Sequence, residues 1–145
     1  MQGYGRPSVY QVTQVSTANK SKLVLMMYDG AIRFINDAKR CLETRDIAGR
    51  GLAISKAQRI VHELRAALNM EKGGEVAVSL EKVYSIVNRR LLDANMKGSV
   101  ADLNICMDMF TTLKDAWSQA MHSAGQEQMP IHAAPMAAAG VKVAV

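Results

Sequence analysis

Leu23-Val-Leu-Met-Met-Tyr-Asp-Gly-Ala-Ile-Arg-Phe-Ile-Asn-Asp-Ala38 is too apolar for an ordinary exposed helix and too short for a membrane span. Val24, Met27, Tyr28, Ala31, Phe34, Ile35 and Ala38 recur near the helical period and predict a stripe that faces a core. Leu25, Met26 and Ile32 lie partly off that stripe. The stretch is therefore a bundle helix with a second apolar face, which needs either more protein or a partner to cover it.

Working outward, Asn19 is positioned to cap this helix, whose apolar period continues to about Thr44. The two glycines in residues 45–51 predict a loop, with Asp46 able to cap a second helix whose stripe is Ala57, Ile60, Val61, Leu64, Ala67 and Leu68, ending near Met70. Gly73-Gly74 is the clearest break in the chain. A third stripe follows at Val76, Leu80, Val83, Tyr84, Val87, Leu91 and Ala94 and stops at Gly98. Ser99 with Asp102 resembles a capping box that opens a fourth helix, with Leu103, Cys106, Phe110, Leu113, Trp117 and Ala120 as its stripe. Short loops between long helices make neighbours antiparallel, so the fold class is all-α, an antiparallel up-down four-helix bundle with Trp117 and Phe110 as the largest core fillers. The expected division is an irregular arm over residues 1–18, a bundle over 19–123, and a disordered tail over 124–145, where Gly, Gln, Pro, Met and Ala replace large anchors.

At 145 residues such a chain buries enough surface to fold without disulfides or metal. Nearly half the residues are apolar but only 5% are aromatic, and there are ten methionines, so the core is aliphatic. The formal net charge of +5 arises from basic residues scattered along the chain, and no aromatic residues interleave with Arg89-Arg90 to stack bases, which argues against nucleic acid. Cys41 and Cys106 have neither metal-knuckle nor redox spacing, and both fall on apolar helical faces as reduced thiols, which suits a cytoplasmic protein. No secretory leader and no run of membrane-spanning length is present in the sequence, which predicts no membrane insertion.

Catalytic constellations are absent from the pattern. A carboxylate-bridged dimetal bundle needs inward Glu and Glu-x-x-His pairs that do not recur here, and His62, His122 and His132 share no ligand spacing, so no metal, cofactor or small-molecule substrate is expected. The best enzymatic alternative is histidine phosphotransfer through His62. Its surroundings, His62-Glu-Leu-Arg-Ala-Ala67, loosely resemble that pattern, with Arg65 in place of Lys and Ala66 in place of Gly.

Several fragments taken together resemble the FliS family of flagellin export chaperones. They are Leu23-Val-Leu-Met-Met-Tyr-Asp-Gly-Ala-Ile32, Lys56-Ala57 with Ile60-Val61-x-Glu63-Leu64, the Leu68-Asn69 break, Tyr84-x-x-x-x-Arg89-Arg90-Leu91-x-x-Ala94-Asn95, and Leu113-Lys-Asp-Ala-Trp117. Tyr10-Gln11 is similar to the family's amino-terminal segment, and the likeness spans about residues 8 to 121 in the right order. The resemblance implies a non-enzymatic cytoplasmic chaperone. It would bind the disordered carboxyl-terminal segment of flagellin, prevent premature polymerisation and deliver the subunit to the flagellar export apparatus. It also implies that the arm, through Tyr10, acts as a lid over part of the client surface.

A wrapped client needs anchors outside the core. Ile105, Met109, Thr112 and Ala116 form a stripe on the fourth helix apart from its core positions, and the third helix adds Val78, Ile86 and Leu92. Leu25, Met26 and Ile32 lie under either the arm or neighbouring helices. Arg89 and Arg90 either brace the third helix through salt bridges or meet client carboxylates, and Asn95 is expected to close that helix. Two features depart from the family pattern: Asn19-Lys-Ser-Lys22 puts two positive charges near a positive helix end, and the tail from Gly125 has no family counterpart.

Overall fold

The computed structural model describes residues 17–124; of the arm expected over 1–18 and the tail expected over 124–145, residues 1–16 and 125–145 lie outside the described residues. Among the described residues are four helices: α1 (Thr17–Glu43), α2 (Ile47–Ala66), α3 (Met70–Lys97) and α4 (Val100–Ala124). Each packs on two neighbours, α1 and α3 both lying against α2 and α4, so the helices form a ring. Side-chain pairs establish the directions. Gly30 approaches Ile60 and Lys56 sits over the Phe34 ring; Arg50 meets Asn95 and Arg65 meets Glu81; Arg90 meets Asp102 and Cys106 meets Val87. In every pair one number rises as the other falls, which is the signature of an antiparallel up-down bundle.

The core is close to the stripes read from sequence. Val24, Tyr28, Ala31, Ile35 and Ala38 of α1 are buried, while Met27 and Phe34 are half-buried against the cluster. All six predicted positions of α4 are buried. Ala77 takes the buried place expected of Val76 in α3, and in α2 the buried set begins earlier, at Ala53 and Ile54, with Ala67 exposed at the helix end. Small residues at these levels let helices approach closely, leaving the centre to the largest side chains: Trp117, Tyr28, Tyr84 and Phe110. Tyr28 meets Phe110 and Trp117 with ring centroids 5.9 and 6.4 Å apart. Its hydroxyl lies 2.6 Å from that of Tyr84, bridging the two diagonal helices α1 and α3. Trp117 Nε1 donates to the Ser21 carbonyl at 3.1 Å and ties the end of α4 to the start of α1.

Helix boundaries differ from expectation in three places. Asn19 lies inside α1 and is not its cap. The loop expected over 45–51 contracts to a tight turn. Arg45 adopts φ 60°, the Asp46 N–H donates to the Cys41 carbonyl, and the Arg45 N–H donates to the Leu42 carbonyl, which is the hydrogen-bond pattern of a Schellman ending. Asp46 caps α2 as expected, accepting from Gly49 N–H at 2.9 Å. Gly49 is helical, and a Cβ there would run into the Asp46 carboxylate and the Cys41 sulfur, so glycine serves close approach instead of loop formation. α2 stops at Ala66, short of Met70, because Asn69 caps α3 by accepting from Lys72 N–H. The break read at Gly73-Gly74 is present: Gly74, with φ 53° and ψ −132°, leaves the helical conformation and kinks the path between Met70 and Lys97.

Two terminus readings hold in part. Gly98 ends α3 in the left-handed conformation, and Ser99 Oγ accepts from Asp102 N–H at 3.1 Å. The Asp102 carboxylate does not close the reciprocal half of a capping box; it accepts from Arg90 at 3.0 Å. Asn95 does not close its helix. It accepts from Arg50 through its backbone carbonyl at 2.8 Å and so joins α3 to α2.

Candidate functional site

The α3–α4 contact has a fixed register. The Arg90–Asp102 pair and the Cys106 sulfur, 3.7 Å from the Val87 carbonyl, set Ile86 of α3 opposite the turn of α4 that carries Ile105 and Met109. On α4, Asp102 marks the side that faces α3, and Lys114, paired with Asp29 at 2.6 Å, marks the side that faces α1. Ile105, Met109, Thr112 and Ala116 recur at three- and four-residue spacing on the Asp102 side, so they run as one row along the α3–α4 groove. Ile105 is 36% exposed and Thr112 is exposed, while Met109 and Ala116 are half-buried and pack on the core from above. The outer row of α4 is therefore largely apolar, with Ile105 its exposed apolar side chain and Met109 and Ala116 partly covered by the core.

Ile86 stands on the side of α3 that carries Arg90. It is half-buried in a surface depression of about 450 Å³ that it shares with Ser85, Arg89, Arg90 and Asp93. Both arginines are braced by carboxylates, Arg90 by Asp102 and Arg89 by Asp93 at 3.7 Å. Arg90 beside it holds the Asp102 carboxyl below its ordinary pKa, so the pair stays ionised and keeps the groove end in shape.

Val78 and Leu92 do not join this groove. Fourteen residues apart, they stand almost one above the other on α3, whereas Ile86 is turned by about 120° from Leu92. Glu81 and Asn88, which face α2, show that the Val78 and Leu92 edge is the α2 side of the outer surface. Leu92 is 44% exposed and is followed at the next turn by Met96, at 72% the most exposed large apolar side chain described. Sequence reading passed over Met96 because it falls on no core stripe; its signal is the four-residue step from Leu92.

The remaining candidates disperse. Tyr10 lies outside the described residues. Leu25 and Ile32 are half-buried and pack against the core, and Met26 is 66% exposed. His62 is exposed on α2 beside Arg59 and Arg65, and nothing in its surroundings supports phosphotransfer. Cys106 is buried, and loss of water together with the nearby Asp102 pushes its thiol up to about 12; Cys41 is half-buried. Among the described residues no group of His, Cys, Asp and Glu could hold a metal ion, and no helix is long and apolar enough to cross a membrane.

Comparison with known proteins bears on what such a bundle is for. The family model described as Flagellar protein FliS matches residues 3–124. The chain is 34% identical over 116 residues to a Bacillus subtilis protein named flagellar secretion chaperone FliS, covering 80% of this chain and 86% of the relative. It is 35% identical over 106 residues to the Salmonella typhimurium protein of that name, covering 72% and 78%. A Pseudomonas aeruginosa relative named flagellar secretion chaperone FliSB is 31% identical over 109 residues, covering 75% and 86%. With its whole bundle inside the family match and this identity sustained across most of its length, the chain belongs to FliS, a family of flagellar secretion chaperones.

Proposed function

We propose that this protein binds the carboxyl-terminal segment of flagellin in the cytoplasm, prevents its premature polymerisation and delivers it to the flagellar export apparatus. The observation that carries this reading is the α3–α4 register, which sets half-buried Ile86 opposite the turn of Ile105 and Met109, outside a core that is already closed. A segment that packs against copies of itself in a filament has an apolar side to mask, and a groove of this composition masks it by the same burial that drives packing. Ordering a disordered client opposes binding by several kcal/mol, which favours a long contact over a small pocket. The second row at Val78, Leu92 and Met96 extends the contact around α3, and the arm bearing Tyr10 competes for part of it.

Titration calorimetry with a flagellin carboxyl-terminal peptide tests the reading. One-to-one binding that protects the peptide from proteolysis is expected, and no detectable binding at high micromolar concentration overturns it. In the same assay Tyr10→Ala raises affinity if the arm is a lid; unchanged or weaker affinity removes the lid. As a member of a chaperone family the protein works by binding and not by catalysis.

A further inference from the structure

On the other edge of α3 the surface has different chemistry. Ser55, Gln58, Arg59, His62 and Arg65 of α2 and Asn88 of α3 line a depression of about 390 Å³. Every one of these side chains can donate hydrogen bonds, no carboxylate lines the depression, and Val61 is its sole apolar lining residue. Arg65 is held from behind: its Nε and Nη2 donate to one Glu81 oxygen at 3.2 and 2.6 Å, which fixes the guanidinium while leaving other N–H groups unspent. Arg59 is exposed and forms no ion pair among the described residues. A concave array of donors with one fixed and one uncompensated guanidinium is complementary to carboxylate.

The neighbourhood selects the kind of molecule that carries the carboxylate. Asn88, Leu92 and Met96 recur every four residues along α3, so the cationic depression continues directly into an exposed apolar row. No Phe, Tyr or Trp lines the depression as a platform for a base. An extended polypeptide in which acidic and apolar residues alternate fits both parts at once. We propose that the α2–α3 depression is a carboxylate subsite that docks an acidic-apolar polypeptide segment, with its acidic side chain on Arg59 and Arg65 and its apolar side chain along Leu92 and Met96. The depression is separate from the α3–α4 groove and shares with the client contact proposed above only the Leu92 and Met96 row.

The test uses the full chain, isotope-labelled, and the capped peptide Glu-Leu-Glu-Leu-Glu-Leu, followed by amide NMR shifts. The expected result is saturable shifts at Gln58, His62, Arg65, Asn88 and Leu92. Arg59→Gln, an exposed change that leaves the helical spectrum intact, should weaken binding roughly tenfold. Lys56→Gln removes the same charge from the same helix, but Lys56 is turned toward Phe34, 5.5 Å from its ring, so binding should change by less than about twofold. Equal weakening by both substitutions would reduce the effect to net charge and overturn the subsite. So would equal binding of the peptide with Gln in place of Glu, or inorganic phosphate shifting the same amides with the same midpoint. Arg59 and Lys56 lie outside the contact proposed for flagellin, so failure of the subsite is read apart from flagellin binding, which the carboxyl-terminal peptide measures.

Discussion

Arg45 occupies a backbone position that suits glycine. At φ 60° its Cβ crowds the backbone, yet the turn it makes satisfies the last carbonyls of α1 and delivers Asp46 to cap α2. Arg45→Gly should therefore raise stability by about 0.5–1 kcal/mol in urea unfolding, the relief of strain exceeding the extra freedom of glycine in the unfolded chain. A drop in stability would mean that the arginine side chain contributes more than its backbone costs. The core tyrosines permit a sharper measurement. Burial drives both hydroxyls well above the ordinary tyrosine range, so they remain neutral and their mutual hydrogen bond at 2.6 Å satisfies a polar pair at the bundle centre. Tyr84→Phe takes that bond from Tyr28 and should cost about 1–3 kcal/mol, whereas adding Tyr28→Phe should cost less than its own single substitution does. Strict additivity in the double-mutant cycle would show that the pair is not coupled.

Helix ends are where the elements depart from a reading of periodicity. Gly49 and Gly51 look like loop residues because glycine is a poor helix former, but at 49 the space is already filled by Asp46 and Cys41, and only a residue without a Cβ lets α2 begin there. The Asp102 side chain was similarly misassigned, since a local capping rule takes no account of Arg90, twelve residues away in sequence and adjacent across the α3–α4 turn. This contact has a pH signature. The folded state holds the Asp102 carboxyl below its unfolded value, so its contribution is present above the unfolded carboxylate range and is lost as pH falls through the folded one. Asp102→Asn should be less stable than the parent at neutral pH, and the difference should shrink toward about pH 3, as followed by urea midpoints. A difference independent of pH would assign the effect to packing and not to charge.

For the whole molecule, the closed core and the open groove separate stability from binding. Ile105 and Thr112 are exposed and Ile86 is half-buried, so replacing Ile86 or Ile105 by Asp should leave the unfolding midpoint within the range of ordinary surface changes, about 0.5 kcal/mol for the exposed site. Each should weaken client binding by roughly tenfold or more through loss of apolar burial and introduction of an unpaired charge. Loss of stability with affinity preserved would move the client surface off the α3–α4 groove.

The four stripes, the aromatic core fillers and the Gly98 ending were legible from sequence because each depends on neighbours within one or two helical turns, where the period of 3.6 alone assigns the face. The family fragments were legible for the same reason, being short runs in a set order. What only the tertiary structure decided depends on how the helices sit beside one another. The Arg90–Asp102 register set Ile86 opposite the turn of Ile105 and Met109, and it left Val78 and Leu92 on the opposite edge with Met96. The Tyr28–Tyr84 bridge spans a diagonal of the ring, and the cations of α2 meet Asn88 across a helix boundary. A helical period assigns each residue an angle about its own axis, but the partner it meets across a groove is set by helix rotation and register, which follow from packing the whole core at once.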